Sequence, residues 1–440
     1  MNVGFISLGC SKNLVDTEIA IGIFKKKKYD IVNDESKADV IVINTCGFIE
    51  SAKEEAINTI LEMAEYKKKR CKVLIVMGCL VERYKEELEK AIPEVDLFIK
   101  FSEYDDICKK LDEALEEKKQ NIKQDYNRLE NYIDRVITTG NKTAYLRIAE
   151  GCSNRCTYCA IPYIRGPLRS RKLEDIIKEA EYLAKKGYEE LIIIAQDTTK
   201  YGIDIYKELK LAELLKKISQ IDGIRWIRFL YSYPETITDE LIKVVKENDK
   251  ICKYFDIPLQ HISDPVLKKM NRKSNEESIR KLISKIRKEI PDVVLRTSLI
   301  VGFPGETEED FENLYNFVKE TEFDKLGVFM YSKEDGTPAE KLPNQIHGNT
   351  KRARYNKIMS IQQEISRKNL EKRIGEKYEV LIENTTFDKK YLVGRTKMDV
   401  PEMDGVVYIP NTLDKDLINK FVMCKIVDIR EYDLIGELYE

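Results

Sequence analysis

Three cysteines in one short segment constrain this sequence more than any other feature. The segment, residues 151–162 (GCSNRCTYCAIP), follows an apolar, strand-like run at 143–149 and holds Cys152, Cys156 and Cys159. Soft thiolates favour iron–sulfur clusters, and three of them at this spacing can bind three corners of a four-iron cube. Because the segment has no fourth cysteine, one iron would stay open, as a catalytic site requires. We therefore predict an open cluster in this segment.

Two simpler interpretations of the segment are a zinc site and three unrelated buried cysteines. Zinc sites usually show two Cys-x2-Cys or Cys/His pairs, and no second pair follows Cys156 and Cys159. The sequence has only two histidines, His261 and His347, so His-rich zinc or copper sites are excluded. These counts favour the cluster over zinc.

Composition indicates a globular protein of the cytosolic type. The 440 residues are 42% hydrophobic and 35% charged, and 75 basic residues nearly balance 77 acidic ones. No apolar run approaches the ~20 residues that span a bilayer, and the N-terminus resembles no secretory signal. We therefore expect a cytoplasmic protein without a membrane partner. In that compartment ten cysteines serve metal binding or catalysis rather than disulfides.

The first quarter of the sequence alternates strand-like and helix-like stretches. Such alternation predicts parallel βαβ units with helices covering the sheet, and we assign this domain to residues 1–118. The predicted strands are 3–8, 39–44, 73–77 and 96–99, and the predicted helices are 13–28, 51–69, 82–91 and 103–118.

Three more cysteines each follow one of these strands. Cys10, Cys46 and Cys79 stand beside glycines and about one βαβ unit apart. Ligands of open parallel sheets bind beyond the carboxyl ends of the strands, where these cysteines would meet. We predict a second iron–sulfur cluster there, again with one open iron; the alternative is three separate small core residues. The other cysteines are interpreted as structural: Cys71, Cys108, Cys252 and Cys424. Of these, Cys71 is the nearest rival as a ligand, but it precedes its strand.

The middle of the sequence predicts a partial parallel barrel. A polar linker at 119–141 leads into residues 142–373, where six βα units make three-quarters of the familiar eightfold barrel. The predicted strands are 143–149, 190–195, 226–231, 254–258, 293–301 and 326–331. The predicted helices are 173–186, 209–221, 239–248, 276–289, 308–320 and 351–373.

The strand ends of this barrel are candidate site positions, because barrel chemistry sits at the carboxyl ends of the strands. The turn at 300–307 (IVGFPGET) contains Gly302 and suits the close approach of a nucleoside. Other candidates are the strand ends at 196–199, 231–234 and 260–261. Polar residues in such loops also cap helices, and His261 is as well suited to ordering its loop as to acting as a base.

The last stretch, residues 374–440, predicts a small β-barrel. Short strand-like runs at 378–382, 391–395, 406–409 and 421–429 alternate with turns. Residues 376–440 carry 9 Lys and Arg against 14 Asp and Glu. A barrel that grips RNA should be basic, so this acidic one favours a basic protein partner; a solvated module without a partner is the alternative.

The motifs together resemble a known family. Cys152-x3-Cys156-x2-Cys159 resembles the motif of radical S-adenosylmethionine (SAM) enzymes, and the upstream cysteines and the terminal barrel resemble the methylthiotransferases. The segments SLGCSKNLVDTE, NTCGFIESAKEE, CTYCAIPYIRGPLRSR and QDTTKYG resemble the branch that modifies an aspartate of ribosomal small-subunit protein S-twelve. The similarity covers essentially the whole chain. It implies an α/β fold with an N-terminal parallel domain, a radical-SAM barrel and a TRAM-like barrel.

The resemblance also implies cofactors and partners. Cys152, Cys156 and Cys159 would hold a 4Fe–4S cluster whose open iron binds SAM, with Tyr158 near the adenine and Gly302 in the cofactor turn. A 5′-deoxyadenosyl radical would then take hydrogen from the aspartate β-carbon, a step that a cofactor must supply. A second 4Fe–4S cluster on Cys10, Cys46 and Cys79 would present the sulfur that is methylated and transferred. An external electron donor and a sulfur source are implied, and we expect a monomer.

Two other functions remain as alternatives at this point. A tRNA adenosine methylthiotransferase has a similar layout, and four basic residues could contact phosphate: Arg165, Arg169, Arg171 and Lys172. An iron–sulfur electron carrier or metal-stabilised RNA-binding module would need four thiolates per metal and a basic surface, and the sequence shows neither.

Overall fold

The protein was analysed as a computed structural model, which describes residues 1–115, 134–140, 142–411 and 416–439. The chain forms two compact units. The first consists of Met1–Thr139, Glu150–Arg169 and Ser332–Glu340, and the second of Gly140–Ala149, Ser170–Tyr331 and Lys341–Glu440. The domain boundaries expected from the sequence remain a prediction beside this division. Most of the predicted linker at 119–141 lies outside the described residues.

The first unit is built on a parallel sheet. Its elements are β1 Asn2–Ser7, α1 Ser11–Lys26, β2 Asp30–Val32, β3 Val40–Thr45, α2 Glu50–Ala64, β4 Val73–Gly78, α3 Cys79–Ala91, β5 Leu97–Ile99 and α4 Ile107–Leu115. The strands pair in parallel in the order β2-β1-β3-β4-β5. The predicted parallel βαβ domain is therefore confirmed, with one further strand, β2, at its edge.

Strand β3 shows why this sheet is buried on both faces. Successive side chains of a strand point to opposite faces. Ile41 and Ile43 pack into a core with α2 and α3, whereas Val40 and Val42 pack into a second core with α1 and α4. A strand covered on both faces needs an unbroken apolar run, which is how β3 reads in the sequence.

The elements that follow alternate again. In chain order they are β6 Thr143–Arg147, β7 Ala149–Glu150, α5 Ile161–Ile164, β8 Arg169–Ser170, α6 Leu173–Lys185, β9 Glu190–Ile194, α7 Leu211–Ile218, β10 Trp226–Phe229, α8 Asp239–Glu247, β11 Tyr254–Asp256, α9 Asp264–Lys269, α10 Glu276–Glu289, β12 Val294–Val301, α11 Glu308–Thr321, β13 Lys325–Met330 and α12 Gly348–Glu371.

Six of these strands form the predicted partial barrel in the second unit. Strands β6, β9 and β10 make one parallel sheet, and β11, β12 and β13 make another. Ile227 of β10 joins the two, because its N–H donates to Lys250 O (2.8 Å) and its carbonyl accepts from Cys252 N (2.8 Å). The six strands thus follow one another in chain order, with their carboxyl ends on one side.

The second unit ends in a closed barrel of five strands. These are β14 Lys377–Thr385, β15 Tyr391–Arg395, β16 Val407–Pro410, β17 Phe421–Arg430 and β18 Asp433–Leu438. The sequence predicts the first four. Strand β18 closes the barrel by pairing in parallel with β16 and antiparallel with β17. Closure removes exposed strand edges, so the small barrel predicted for this region is confirmed.

A buried ion network ties this barrel to the central strands within the second unit. Glu190, at the start of β9, accepts hydrogen bonds from Arg395 Nη2 (2.6 Å) and from Arg228 Nε (3.3 Å). All three side chains are at most 2% exposed. Burial opposes ionisation of Glu190, but the two guanidinium groups outweigh it and lower its pKa. The network lies at the amino ends of the strands, opposite to the end expected for chemistry.

Candidate active site

Cys10, Cys46 and Cys79 lie together at one edge of the first sheet. Cys10 occupies the N-cap position of α1, Cys46 directly follows β3, and Cys79 begins α3 after β4. Because β1, β3 and β4 are neighbours in the sheet, their carboxyl ends converge. A side chain at Gly9 would stand only 2.8 Å from Cys46 Cβ, so this glycine permits the close approach. The three cysteines also interact electrostatically, as groups in one site do.

The three thiols differ in how easily they ionise. Burial raises the pKa of Cys46, and it raises the pKa of Cys79 to about 12 against the opposing charge of Arg165. Surrounding atoms also desolvate the Cys10 thiol, although the residue lies at the surface. Desolvation is outweighed at Cys10 by two positive charges, those of Lys12 and Arg165, and by hydrogen bonds from the backbone amides of Asn13 and Lys12. The pKa of Cys10 is therefore lowered. Metal-bound thiols are deprotonated, and these cations favour that state.

Asn13 joins the ends of the strands. Its Nδ2 donates to Leu8 O (3.1 Å) and to Thr45 O (3.0 Å), the residues that follow β1 and end β3. Its Oδ1 accepts from Arg165 Nη2 (2.9 Å) and from the Cys79 thiol (3.4 Å). Asn13 is fully buried. One amide therefore fixes the positions of two strand ends, a cysteine and an arginine.

The three-cysteine segment is also part of the first unit. Cys152 and Cys156 are buried and Cys159 is half-buried. The segment is closed at its base by a hydrogen bond from Cys152 N to Gly166 O (3.0 Å) and contains a turn in which Cys159 N donates to Cys156 O (3.0 Å). Burial and the neighbouring Cys156 raise the pKa of Cys159. Tyr158 is half-buried between the last two cysteines.

The two sets of cysteines approach each other within this unit. Cys79 packs in an apolar cluster with Ala160 and Ile164, which come shortly after Cys159 in the chain. The ammonium of Lys12 favours the thiolate of both Cys10 and Cys159. The structure therefore brings all six predicted ligands into one region of the first unit.

The chemistry of the donor set fits iron–sulfur clusters. A 4Fe–4S cube binds each thiolate to a different iron, and soft thiolates are the ligands that such clusters favour. Among the residues that the structure describes, no group of three or more His, Cys, Asp or Glu side chains could hold a metal ion. Three thiolates per set, without a histidine or carboxylate ligand, agree with this chemistry.

The second unit presents unpaired polar groups at the carboxyl ends of its strands. Gln196 follows β9, and both its amide oxygen and its amide nitrogen are buried without a hydrogen-bond partner in the described structure. The same is true of Ser232 Oγ, which follows β10. Buried polar groups are normally hydrogen-bonded, so these atoms are suited to a bound ligand.

His261 and Gly302 each have a structural contact at their strand ends. His261 is fully buried: its Nδ1 accepts from Ser263 N (3.0 Å), which orders the loop after β11, while its Nε2 has no hydrogen-bond partner in the described structure. Gly302 follows β12 with a φ of 72°, and a side chain there would collide with the stem of Lys351 (2.3 Å). Close packing against α12 is thus one reason for glycine at this position; a role in cofactor binding stays a prediction for both Gly302 and Tyr158.

Two of the four basic residues considered as phosphate contacts instead form ion pairs with carboxylates of this protein. Arg165 is buried, with its side chain 2% exposed, and pairs with Asp16 (2.8 Å) and Glu150 (3.1 Å). Arg171 pairs with Glu179 (2.6 Å) and donates to Arg147 O (2.6 Å). Neither guanidinium is presented to a phosphate backbone.

Glu334 is a further site residue that the sequence does not reveal. Its buried carboxylate accepts from Glu50 N (3.1 Å) and lies near Lys53 Nζ (3.4 Å). Arg83, close to the same carboxylate, donates to Gly47 O (3.2 Å). These contacts hold the loop after Cys46. Glu334 cannot be singled out from the sequence, because its loop, SKEDGTP, has the same charged composition as an ordinary solvent-exposed loop.

Family models match three parts of the chain. They are the radical SAM superfamily at residues 146–318, an uncharacterized protein family (UPF0004) at 2–100 and the TRAM domain at 374–438. No helix in the described ranges is both long and apolar enough to cross a membrane.

Curated relatives match the chain from end to end. The ribosomal protein uS12 methylthiotransferase RimO of Alkaliphilus oremlandii is 64% identical, over 100% of this chain and 99% of that protein. The protein of the same name from Acetivibrio thermocellus is 52% identical, over 99% of this chain and 98% of that protein.

Among solved structures, the radical SAM methyltransferase TsrM from Kitasatospora setae matches with a TM-score of 0.59 at 11% identity. The match covers 77% of this chain and 73% of TsrM, and at this identity it shows the fold alone. The full-length relatives carry the assignment: the chain belongs to the ribosomal protein uS12 methylthiotransferase family of radical SAM enzymes.

Proposed function

We propose that this enzyme adds a methylthio group to the β-carbon of an aspartate in ribosomal protein uS12 (S-twelve) by a radical SAM mechanism. The observation that carries the proposal is the approach of two sets of three cysteines within the first unit, beside Lys12 and Arg165. One set would serve radical generation and the other sulfur transfer. The end-to-end similarity to uS12 methylthiotransferases supports the same substrate.

Cys152, Cys156 and Cys159 would hold the 4Fe–4S cluster that binds SAM, and Cys10, Cys46 and Cys79 would hold a second 4Fe–4S cluster. When bound, these groups supply a 5′-deoxyadenosyl radical, which removes hydrogen from an unactivated carbon, and the sulfur that replaces the hydrogen. Tyr158 would pack near the adenine, and Gly302 would line the cofactor turn. We assign no catalytic side chain beyond the cluster ligands.

The chain's own residues prepare both sites. Asn13 orients the strand ends that carry the cysteines, and Glu334 with Arg83 holds the loop after Cys46. Burial of Cys79, Cys152 and Cys156 keeps water away from the ligands. Gln196 and Ser232 offer unpaired donors and acceptors at the carboxyl ends of the barrel strands, where SAM or the target loop would find partners.

The terminal barrel supports a protein rather than RNA as the partner. Residues 376–440 carry 9 basic against 14 acidic side chains, which suits a basic ribosomal protein and repels phosphate. Arg165 and Arg171 are paired internally, which further weakens the case for a tRNA substrate. We propose that the enzyme works as a monomer in the cytoplasm, where ribosomal proteins are available, with an external electron donor and sulfur source.

A direct test uses the reconstituted enzyme with SAM, a reductant, sulfide and purified uS12. We expect about eight iron atoms per chain and a methylthio group on one aspartate of uS12. A parallel reaction contains tRNA in place of uS12, and binding to both is measured across salt concentrations. Modified tRNA, with a steep salt dependence of its binding and no reaction on uS12, would reverse the choice of substrate.

A further inference from the structure

Arg165 is the buried cation that connects the three-cysteine segment to Cys79. It stands three residues beyond the end of that segment. Its Nη2 donates to Asp16 Oδ2 (2.8 Å) and Asn13 Oδ1 (2.9 Å), and it lies 3.5 Å from Cys79 Sγ, within the reach of a shared hydrogen bond to sulfur. Its Nη1 donates to Glu150 Oε2 (3.1 Å), and its guanidinium stacks over the ring of Phe101 at 4.7 Å. These contacts fix the guanidinium on every side.

The charge of Arg165 is permanent under any working condition. A guanidinium stays protonated at any working pH, and here Asp16 (2.8 Å) and Glu150 (3.1 Å) pair with it. Two carboxylates and the sulfur of Cys79 lie around one cation. The carboxylates therefore serve to orient the guanidinium, and the cation is what offsets negative charge beside Cys79.

We propose that Arg165 is a positioning residue that raises the reduction potential of the cluster held by Cys10, Cys46 and Cys79. Hydrogen bonds to ligand sulfur and nearby positive charge both favour the reduced, more negative cluster, and both are known determinants of cluster potential. The inference rests on the second cluster of the proposed function. Without Arg165, the charge of Asp16 would act on Cys79 uncompensated, and the potential would fall.

The chain offers a matched control, a second buried arginine whose acidic partner is also on α1. Arg135 is also a buried arginine, and it pairs with Glu18 of α1 as Arg165 pairs with Asp16 of α1. The groups that act on Glu18 in the described structure are Arg135 and Thr138, and neither of them is one of the six cysteines. A change at Arg135 removes a buried charge from the first unit without changing the proposed cluster ligands. It therefore separates an effect of Arg165 on the cluster potential from a general loss of stability of this unit.

The test is a redox titration of the reconstituted full-length enzyme, with dithionite as reductant, followed by electron paramagnetic resonance. The signal that SAM perturbs belongs to the radical SAM cluster, and the other signal reports on the second cluster. For Arg165→Met we expect the second signal to shift to lower potential. The expected decrease in midpoint potential is about 59 mV for this one-electron couple, which is about a tenfold change in the ratio of oxidised to reduced cluster at a fixed potential. Arg165→Lys keeps the positive charge but loses the planar guanidinium with its several fixed donors. We therefore expect the midpoint potential of the second cluster to shift less in this variant, in the same direction.

Arg135→Met should leave both midpoints unchanged. If Arg165→Met fails to keep its iron, Arg165→Lys decides, and an unchanged midpoint in that variant overturns the proposal. An equal shift in Arg135→Met would also overturn it. Wild-type protein with only about four iron atoms per chain would instead show that the second cluster, and hence the proposed function, is wrong.

Discussion

The side-chain oxygen of Asn13 lies 3.4 Å from the sulfur of Cys79, although the two residues are 66 positions apart in the sequence. The same oxygen accepts from Arg165, while the amide nitrogen of Asn13 binds the carbonyls of Leu8 and Thr45. A single buried amide at the start of α1 thus fixes the relative positions of two strand ends, the side chain of Cys79 and the guanidinium of Arg165. The geometry of the proposed second cluster site depends on it.

Replacing Asn13 with alanine should damage that site selectively. Asn13→Ala leaves the buried carbonyl of Thr45 and the part-buried carbonyl of Leu8 without this donor, which costs about 1–3 kcal/mol of the free energy of unfolding. We expect iron content to fall from about eight towards about four atoms per chain while reductive SAM cleavage persists. Asn275→Ala is the control, since Asn275 caps α10 in the second unit and should cost about 1 kcal/mol without loss of iron. Unchanged iron content in Asn13→Ala would contradict this role.

The lowered pKa of Cys10 predicts its reactivity in iron-free protein. Lys12 and Arg165 overcome desolvation at Cys10, whereas burial raises the pKa of Cys46. Since the thiolate is the reactive form, iodoacetamide should modify Cys10 first, and its rate should level off at a lower pH than that of Cys46. Peptide mass spectrometry across pH measures both rates. Rates of Cys10 and Cys46 that level off at the same pH would refute the electrostatic assignment.

Glu190→Gln should destabilise the protein at neutral pH. The variant leaves Arg395 and Arg228 buried without their carboxylate, which costs about 3–5 kcal/mol of the free energy of unfolding. The pKa of Glu190 is lowered from 4.5, so its contribution is present above that value and is lost as pH falls through the lowered pKa. The difference between wild type and variant in denaturant unfolding should therefore shrink in acid.

The control for this substitution is Glu320→Gln. Glu320 pairs with Arg280 at the surface, so its loss should change stability by about 0–1 kcal/mol. Two results would contradict the stabilising role of the Glu190 ion pairs. One is a loss of unfolding free energy in Glu190→Gln no larger than in Glu320→Gln, and the other is a gap between wild type and Glu190→Gln that grows as the pH falls.

Gln196 should matter for ligand binding and not for folding. Its buried amide has no partner in the described structure, so Gln196→Met removes an unsatisfied group and should leave the free energy of unfolding unchanged or higher. Loss of its bonds to SAM or target should lower kcat/KM by roughly tenfold, or about 1.4 kcal/mol.

Gln362→Met is the matched control for Gln196. Gln362 Nε2 donates to Phe323 O (2.9 Å) and Ser366 Oγ (3.0 Å), so this variant should lose stability and keep its kcat/KM. Loss of stability in Gln196→Met with unaltered kinetics would show that Gln196 is structural.

Much of the fold is predictable because its strands are parallel and buried on both faces. Such strands read as unbroken apolar runs, as β3 and β4 do, and helices of regular period lie between them. Two of the strands that prediction misses, β2 and β18, are short or interrupted by charge and by Gly436, and each is seen only through its pairing with neighbouring strands. Their existence is decided by tertiary structure.

The convergence of the cysteines is likewise a property of topology, since residues after neighbouring parallel strands must meet at one edge. The roles of Asn13, Arg165 and Glu334 are different. In the sequence Arg165 looks like its neighbours Arg169 and Arg171, and only packing against α1 and α3 makes it a buried cation. Long-range contacts of this kind leave no periodicity or spacing to recognise.

The central claim is the chemical identity of the product. Its most direct test is mass spectrometry of the small-subunit protein uS12 from cells with and without this enzyme. We predict that the aspartate-bearing peptide carries a methylthio group in place of one β-hydrogen only when the enzyme is present. The same peptide mass in both strains would contradict the assignment.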